Sequence, residues 1–155
     1  MSRRDQIVMS GEEQLDFLQQ ERIVNVATFG PRGWPHLMPL WYVVRDGEIW
    51  VWTYAKSQKV KNIERDDRAT LLVESGDEYQ ELRGVQIEAR AELIDDFDRV
   101  FDFARELTVR YAEGIDSIEG DAAEALKAQA AKRIVIRFVP ERTASWDHRK
   151  LGGTY

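Results

Sequence analysis

No cysteine occurs among the 155 residues of the chain. Disulfides, thiolate metal sites, cysteine nucleophiles and cysteine-ligated iron–sulfur clusters are therefore excluded within it. Histidine is nearly as scarce, with only His36 and His148, so a site built from several histidines of one subunit is poorly supported and no metal is expected. Redox chemistry in such a chain has to come from a bound cofactor.

An excess of basic residues is missing as well. The formal net charge is −6, which argues against a nonspecific nucleic-acid surface, although the lysine-rich residues 56–61 could hold a small anion. No apolar run approaches the roughly 20 residues that a membrane span requires. Residues 1–6 lack the apolar stretch of a signal peptide. We therefore expect a cytoplasmic protein that engages neither nucleic acid nor membrane.

The composition that remains is typical of a globular protein. Apolar residues make up 43% of the chain and charged residues 32%, and this balance disfavours disorder. A chain of this length buries roughly two-thirds of the surface of its unfolded state. We expect one domain over residues 1–155.

Short β-rich runs separated by turn residues dominate the sequence. They predict strands at residues 23–29, 36–44, 49–54, 69–73, 82–94 and 134–139, with Asp46-Gly47 and Gly76-Asp77 among the turns. Pro140 is expected to end the last strand, and residues 145–155 are expected to form a short polar tail. Closely spaced strands joined by hairpins indicate an antiparallel barrel rather than a parallel doubly wound sheet.

Helical patterns interrupt these strands. Ser10 and Glu13 have the spacing of a capping box, which predicts a short opening helix. Ser57 is placed to cap a second helix that runs to about Arg65. Apolar residues at three- and four-residue spacing predict a longer helix at residues 97–111, and residues 122–131 favour another. The expected fold class is mainly β with α (α+β).

Residues 53–62 carry the main chemical signal. A strand ends near Thr53 and a helix begins after Ser57, so the free backbone N–H groups of a first helical turn converge with Lys56 and Lys59. A phosphate would supply matching acceptors and negative charge. The alternative is a lysine-rich helix that merely presents a solvated face. No Gly-x-x-x-x-Gly-Lys loop is present, which disfavours a Walker-type nucleotide triphosphatase.

The order of these elements, from about residue 11 to residue 146, resembles that of the pyridoxamine-phosphate-oxidase-like superfamily. The matching segments are residues 33–41, Thr53 followed by Ser57-Gln58-Lys59, residues 62–68 and Arg83-Gly84-Val85. The resemblance implies an antiparallel split β-barrel of the FMN-binding type with peripheral helices. It also implies a homodimer with two symmetric sites at its interface.

The resemblance further implies where a cofactor would lie. The phosphate of a flavin or deazaflavin would sit near Lys56, Ser57 and Lys59, with the ring system against residues 38–41 and 52–55. The implied cofactor-binding residues are Met38, Pro39, Leu40, Trp41, Thr53, Ala55, Lys56, Ser57, Lys59, Asn62 and Trp146. No catalytic side chain is assigned, because the cofactor would supply the reactive carbon.

The end of the chain distinguishes branches of the superfamily. The carboxyl-terminal arginine motif by which pyridoxamine-phosphate oxidases hold their substrate is not recognisable in residues 141–155, which puts vitamin B6 oxidation in doubt. Residues 146–153 look instead like the branch that uses the deazaflavin coenzyme F-420. The implied activity is hydride transfer between F-420 and a small electron-poor organic substrate. The alternatives are an FMN-dependent oxidoreductase and a non-catalytic flavin- or deazaflavin-binding protein.

Two aromatic positions and one glycine have competing interpretations. Trp50 and Trp52 share one face of their strand while Thr53 lies on the other, so both tryptophans are not expected to join Thr53 at one site, and Trp50 is favoured as a packing residue. Gly84 could allow a ligand to approach the backbone, or could mark a bulge or a bend of the barrel.

The acidic and phenolic candidates are interpreted more simply. The aspartates within residues 95–102 are expected to cap and solvate the following helix rather than to bind a cation. Tyr79 and Tyr111 could donate protons, but ordinary hydroxyl hydrogen bonds are the favoured role.

Overall fold

The computed structural model describes residues 2–153, and within them seven strands form one antiparallel sheet. The strands are β1 (Val24–Phe29), β2 (Pro35–Leu40), β3 (Val43–Arg45), β4 (Glu48–Tyr54), β5 (Arg68–Ser75), β6 (Arg83–Ile94) and β7 (Arg133–Asp147). The helices are α1 (Arg3–Ile7), α2 (Gly11–Gln20), α3 (Gln58–Arg65), α4 (Phe97–Tyr111) and α5 (Gly120–Ala130), with short 3-10 helices at Tyr79–Glu81 and His148–Leu151.

The strand order makes the sheet a split barrel. Hydrogen-bonded neighbours run β2-β1-β5-β6-β7-β4-β3, so β2 and β3 are the two edges. Only Trp41 and Tyr42 connect these edges along the chain, a link that spans at most about 11 Å. The sheet therefore has to curl until its edges approach. This confirms the predicted α+β antiparallel split barrel.

The core forms on two sides of the curled sheet. Inward residues of β1, β4 and β5 alternate with outward ones and pack with Phe17 and Leu18 of α2. On the outer face, Trp50 and Trp52 pack against the cluster that α4 forms with β7. Val51 and Thr53 are buried on the opposite face of β4. The predicted separation of the two faces is thus confirmed, and Trp50 is a packing residue.

The predicted strand at residues 36–44 is wrong in one respect, because the chain breaks it at Trp41 and Tyr42. The backbone N–H of Tyr42 donates to the Tyr111 hydroxyl at 3.0 Å, and that hydroxyl lies 2.9 Å from the Tyr42 carbonyl. A side chain thus satisfies the buried backbone groups of Tyr42. The chain can therefore leave strand β2, which pairs with β1, and enter strand β3, which pairs with β4. The hydroxyl of Tyr111 has an ordinary hydrogen-bonding role, as expected.

The predicted stop at Pro140 is also wrong. Strand β7 continues to Asp147, and its register against β6 shifts where Ala89 pairs with Pro140 and Glu88 with Arg142. Proline has no N–H to donate, and a bulge is one of the few places where a paired strand accommodates it. Residues 145–147 therefore belong to the sheet rather than to a polar tail. Residues 154–155 of that tail lie outside the described residues.

Local turn and cap predictions agree with the structure. Ser10 and Glu13 form the capping box of α2. Asp46 and Gly47 have positive φ angles of 52° and 76°, as the two-residue turn between β3 and β4 requires. Asp96 caps α4 by accepting from the Arg99 N–H at 3.0 Å. Over residues 2–153, no cluster of acidic and histidine side chains could hold a metal ion.

Two further observations concern the surface. No helix in the described part of the chain is both long and apolar enough to cross a lipid bilayer. Strand β2 has no buried residue, and Trp34 beside it and Leu37 within it are 75% and 61% exposed. This edge of the barrel therefore exposes large apolar side chains.

Candidate cofactor site

Helix α3 lies across the split in the barrel and ties its two sides together. From the side of β4, the Thr53 hydroxyl accepts a hydrogen bond from the Lys59 ammonium at 3.0 Å. From the side of β1, the Thr28 hydroxyl accepts from the Asn62 amide at 3.0 Å. Val60 and Ile63 anchor the helix through buried apolar side chains. The polar contacts of α3 are thus held in a fixed position.

Lys59 departs most from an ordinary surface lysine. It is 7% exposed, and within residues 2–153 its ammonium has one hydrogen-bond partner, Thr53, and no carboxylate within ion-pair distance. An ammonium group has three hydrogens to donate. Burial lowers the pKa of Lys59 below its ordinary value, because desolvation disfavours the charged form. A bound anion would supply the missing counter-charge.

Ser57 occupies the predicted N-cap position of α3 but makes no side-chain cap hydrogen bond. Its hydroxyl instead lies 3.4 Å from the Thr53 hydroxyl. In α2, by contrast, the Ser10 hydroxyl accepts from the Glu13 N–H at 3.2 Å. The N–H groups at the start of α3 therefore lack the acceptor that a serine cap usually provides. These N–H groups and the Lys59 ammonium are hydrogen-bond donors without a full set of acceptors in this structure.

Asn62 has a different environment from Lys59. It is fully buried, and its carbonyl oxygen accepts from Gln58 at 2.8 Å and from Arg65 at 3.2 Å. Its amide nitrogen donates to Thr28, on the adjacent strand. In this structure Asn62 therefore holds α3 against β1, and its predicted contact with a cofactor stays a prediction.

The remaining predicted residues near α3 lie on open surface. Ala55 and Lys56 are exposed in the turn before the helix, where the Ser57 N–H donates to the Tyr54 carbonyl at 3.0 Å. Met38 and Pro39 are exposed on β2, and Leu40 is half-buried at its end. The exposed Trp41 stacks on Tyr111 with ring centroids 4.5 Å apart. These residues border the split between the two edges of the barrel.

Trp146 lies apart from this group within one chain. Thr53 pairs with Ile134 near one end of β7, whereas Trp146 pairs with Gly84 near the other. The indole covers Gly84 so closely that a Cβ there would lie 2.2 Å from Cζ2 of Trp146. Gly84 leaves room for the indole of Trp146, a role that the sequence analysis did not predict. Trp146 could join the site only from a second copy of the chain.

A cavity of about 960 Å³ lies beside Trp41 and Trp52 and is walled by α4, α5 and the loop between them. Arg133 lines it, with its guanidinium carbon 4.2 Å from the centre of the Trp52 ring. The sequence analysis missed Arg133, which no local pattern distinguishes. It also missed Thr28, which alternation with Val24 and Val26 could have identified as a polar residue on a buried face.

The fold and the arrangement around α3 define a split β-barrel of the pyridoxamine-phosphate-oxidase-like superfamily. The family model described as pyridoxamine 5'-phosphate oxidase matches residues 10–147. The chain belongs to this family, as the sequence resemblance predicted. No curated protein matches it.

Solved structures include a similar chain and more distant ones. The conserved hypothetical protein Rv2991 from Mycobacterium tuberculosis is 41% identical, with 100% of this chain and 95% of that one covered and a TM-score of 0.89. A structure described as an F420 reductase is 21% identical, with 83% and 94% covered and a TM-score of 0.65. An FAD-binding protein from Mesorhizobium loti is 16% identical, with 89% and 94% covered and a TM-score of 0.64. The last two share the fold.

Proposed function

We propose that the protein binds coenzyme F-420 and transfers a hydride between this deazaflavin and a small electron-poor organic molecule. The observation that carries the proposal is the buried Lys59 ammonium without a counter-ion, next to an N-cap serine that makes no cap bond. Membership of the family supports a flavin-type cofactor at this position. When bound, a reduced deazaflavin supplies the hydride.

The residues around α3 fit the phosphate of such a cofactor. Lys59 would donate to it from the buried side, and Ser57 with the first N–H groups of α3 would donate from the helix end. Lys56 lies on the exposed side of the same turn and would add positive charge. Thr53 holds the Lys59 ammonium in position from the adjacent strand. The chain would thus bind and orient the cofactor without a conspicuous acid–base pair.

A homodimer completes this proposal. Strand β2 is an edge strand without a buried residue, and it carries Met38 beside the exposed Trp34, Leu37 and Trp41. Exposed apolar edges of this kind usually belong to an interface. A second copy placed on β2 would cover these side chains, enclose the ring system of the cofactor and allow Trp146 to reach the site.

F-420 is favoured over FMN by three observations. Residues 146–153 resemble the F-420-dependent branch, and a structure described as an F420 reductase shares the fold over most of this chain. Lys56 and Lys61 are exposed at the start of α3, where they could contact an anionic extension of the cofactor. An FMN-dependent oxidoreductase and a cofactor carrier are the competing outcomes of the test.

The test follows the oxidation of reduced F-420 by absorbance, both anaerobically and in air, with a quinone or an unsaturated cyclic ketone as acceptor. The control uses reduced FMN with the same acceptors. We expect acceptor-dependent oxidation of F-420 that is insensitive to air, because reduced deazaflavins react sluggishly with oxygen. Tight F-420 binding without turnover of any acceptor would favour a carrier. Turnover with FMN alone and rapid oxygen consumption would favour the FMN enzyme.

A further inference from the structure

The cavity beside Trp41 and Trp52 has the size of a small-molecule site. Its volume of about 960 Å³ lies near the upper end of the range for ligand pockets, about 300–1,000 Å³. Its inner wall consists of buried or half-buried apolar side chains. They are Trp52, Leu107, Tyr111, Ile118 and Leu126. Such a wall suits a flat, largely apolar molecule of two or three rings.

Arg133 is the cation of this cavity. Its guanidinium lies over the rings of Trp52 and Tyr54, at 4.2 and 4.5 Å from their centres. Its Nε is buried and has no hydrogen-bond partner within residues 2–153, and no ion pair involving Arg133 occurs in that range. A buried guanidinium N–H without an acceptor is unusual. The fork of an arginine matches a carboxylate.

Two other arginines on this face show what Arg133 lacks. Arg137, on the same strand, lies over Trp50 but also binds Glu48 at 2.6 Å. Arg45 lies over Trp50 as well and forms an ion pair with Glu106. Stacking on tryptophan is therefore combined with a carboxylate partner in both neighbours. Arg133, which lines the cavity, has no such carboxylate partner within residues 2–153.

The acidic residues of the cavity do not oppose an anion at Arg133. Asp116 and Glu119 belong to the exposed loop at the rim, whereas the half-buried Trp52 lies directly against Arg133. Exposed charges are screened by solvent and salt. A phosphate dianion would need more positive charge than one arginine provides, whereas a single carboxylate is matched in charge.

We propose that this cavity is the substrate pocket and that it takes a planar conjugated or aromatic carboxylate, with the carboxylate on Arg133 and the ring on the apolar wall. The role as a substrate pocket rests on the proposed function, because Trp41 joins the cavity to the segment assigned to the cofactor ring. The binding of the carboxylate itself does not depend on which cofactor is used.

The test measures binding of 2-naphthoate and of neutral 2-naphthamide to the full chain by calorimetry, with and without F-420. Arg133→Met is compared with Arg142→Met, a change of the same charge at an exposed position of β7 outside the cavity. Ala125→Trp, which points a large side chain into the cavity from an exposed helical position, is compared with Ala128→Trp on the same helix. Thermal melting verifies that each variant is folded.

We expect 2-naphthoate to bind at least tenfold more tightly than 2-naphthamide, and Arg133→Met to remove this preference while Arg142→Met preserves it. Ala125→Trp should weaken both probes, and Ala128→Trp neither. Equal binding of the two probes by the unaltered protein, or equal effects of the two arginine variants, would overturn the proposal. Competition between 2-naphthoate and F-420, with F-420 affinity lost in Arg133→Met, would overturn it by assigning the cavity to the cofactor. If 2-naphthoate binds through Arg133 while F-420 does not bind, the carboxylate pocket stands and the proposed function fails.

Discussion

Replacing Lys59 by methionine separates the binding role of this residue from its role in the fold. Methionine keeps an unbranched apolar stem but removes the ammonium and its 3.0 Å hydrogen bond to Thr53. Loss of the hydrogen bond destabilises the fold, whereas removal of a buried charge without a counter-ion stabilises it. Because the two effects oppose each other, we expect the free energy of unfolding without cofactor to change by no more than about 1 kcal/mol.

Cofactor binding should respond much more strongly. A hydrogen bond to a charged group contributes about 1.5–3 kcal/mol, which corresponds to a loss of affinity of roughly tenfold to a hundredfold. Titration with F-420, followed by quenching of tryptophan fluorescence, measures this loss. Lys127→Met is the control, because Lys127 lies on α5, outside the predicted cofactor-binding residues. If both variants bind F-420 as the unaltered protein does, the phosphate lies elsewhere.

The same residue sets a pH dependence with a definite sign. Burial lowers the pKa of Lys59 from its ordinary value of 10.5, so between the two values the unfolded chain binds more protons than the folded one. Stability without cofactor should therefore rise with pH across that window. Affinity for the phosphate should fall across it, because the ammonium loses its charge. Urea unfolding and F-420 titration at several pH values should show both trends in the unaltered protein and neither in Lys59→Met.

Three other perturbations follow from the structure. Gly84→Ala should lower stability by about 1–3 kcal/mol, because the new Cβ would meet the rigid indole of Trp146 at 2.2 Å; an unchanged melting temperature would contradict that contact. Tyr111→Phe should cost about 1–3 kcal/mol in urea unfolding, since it leaves the buried Tyr42 N–H without its acceptor, and a neutral effect would mean that β2 and β3 are held apart by other contacts. Light scattering should give a dimer that Leu37→Asp converts to a monomer, and a monomeric unaltered protein would refute the proposed interface.

Much of the barrel could be predicted because its signals are local. Alternation along β1 and β4, the Asp46-Gly47 turn and the capping box at Ser10 each lie within a few residues of the element that they determine. The same holds for α4, whose apolar spacing marks a single buried face. The strand order of the sheet then assembles these elements into the barrel.

The errors occur where a distant residue decides the local structure. The break at Tyr42 depends on the hydroxyl of Tyr111, which is 69 positions away in sequence. Pro140 stays within β7 because the register against β6 shifts beside it. Neither partner can be identified from the neighbouring sequence, so propensity alone favoured one long strand in the first case and a strand end in the second.

In the candidate site, too, some features follow from local sequence and others depend on distant parts of the chain. The position of α3 and of Ser57 follows from local pattern, but the burial of Lys59 depends on the split between the two edges of the barrel. A lysine in the first turn of a helix is normally exposed to solvent. Arg133 could not be identified at all, because its ring contacts and its cavity arise from β4 and the loop between α4 and α5.

The central claim is that this site prefers the deazaflavin, and the most direct measurement is parallel titration of the purified protein with F-420 and with FMN under the same conditions. The account predicts saturable F-420 binding that is tighter than FMN binding and is weakened at least tenfold by Lys59→Met. Tight FMN binding with no detectable F-420 binding would contradict it.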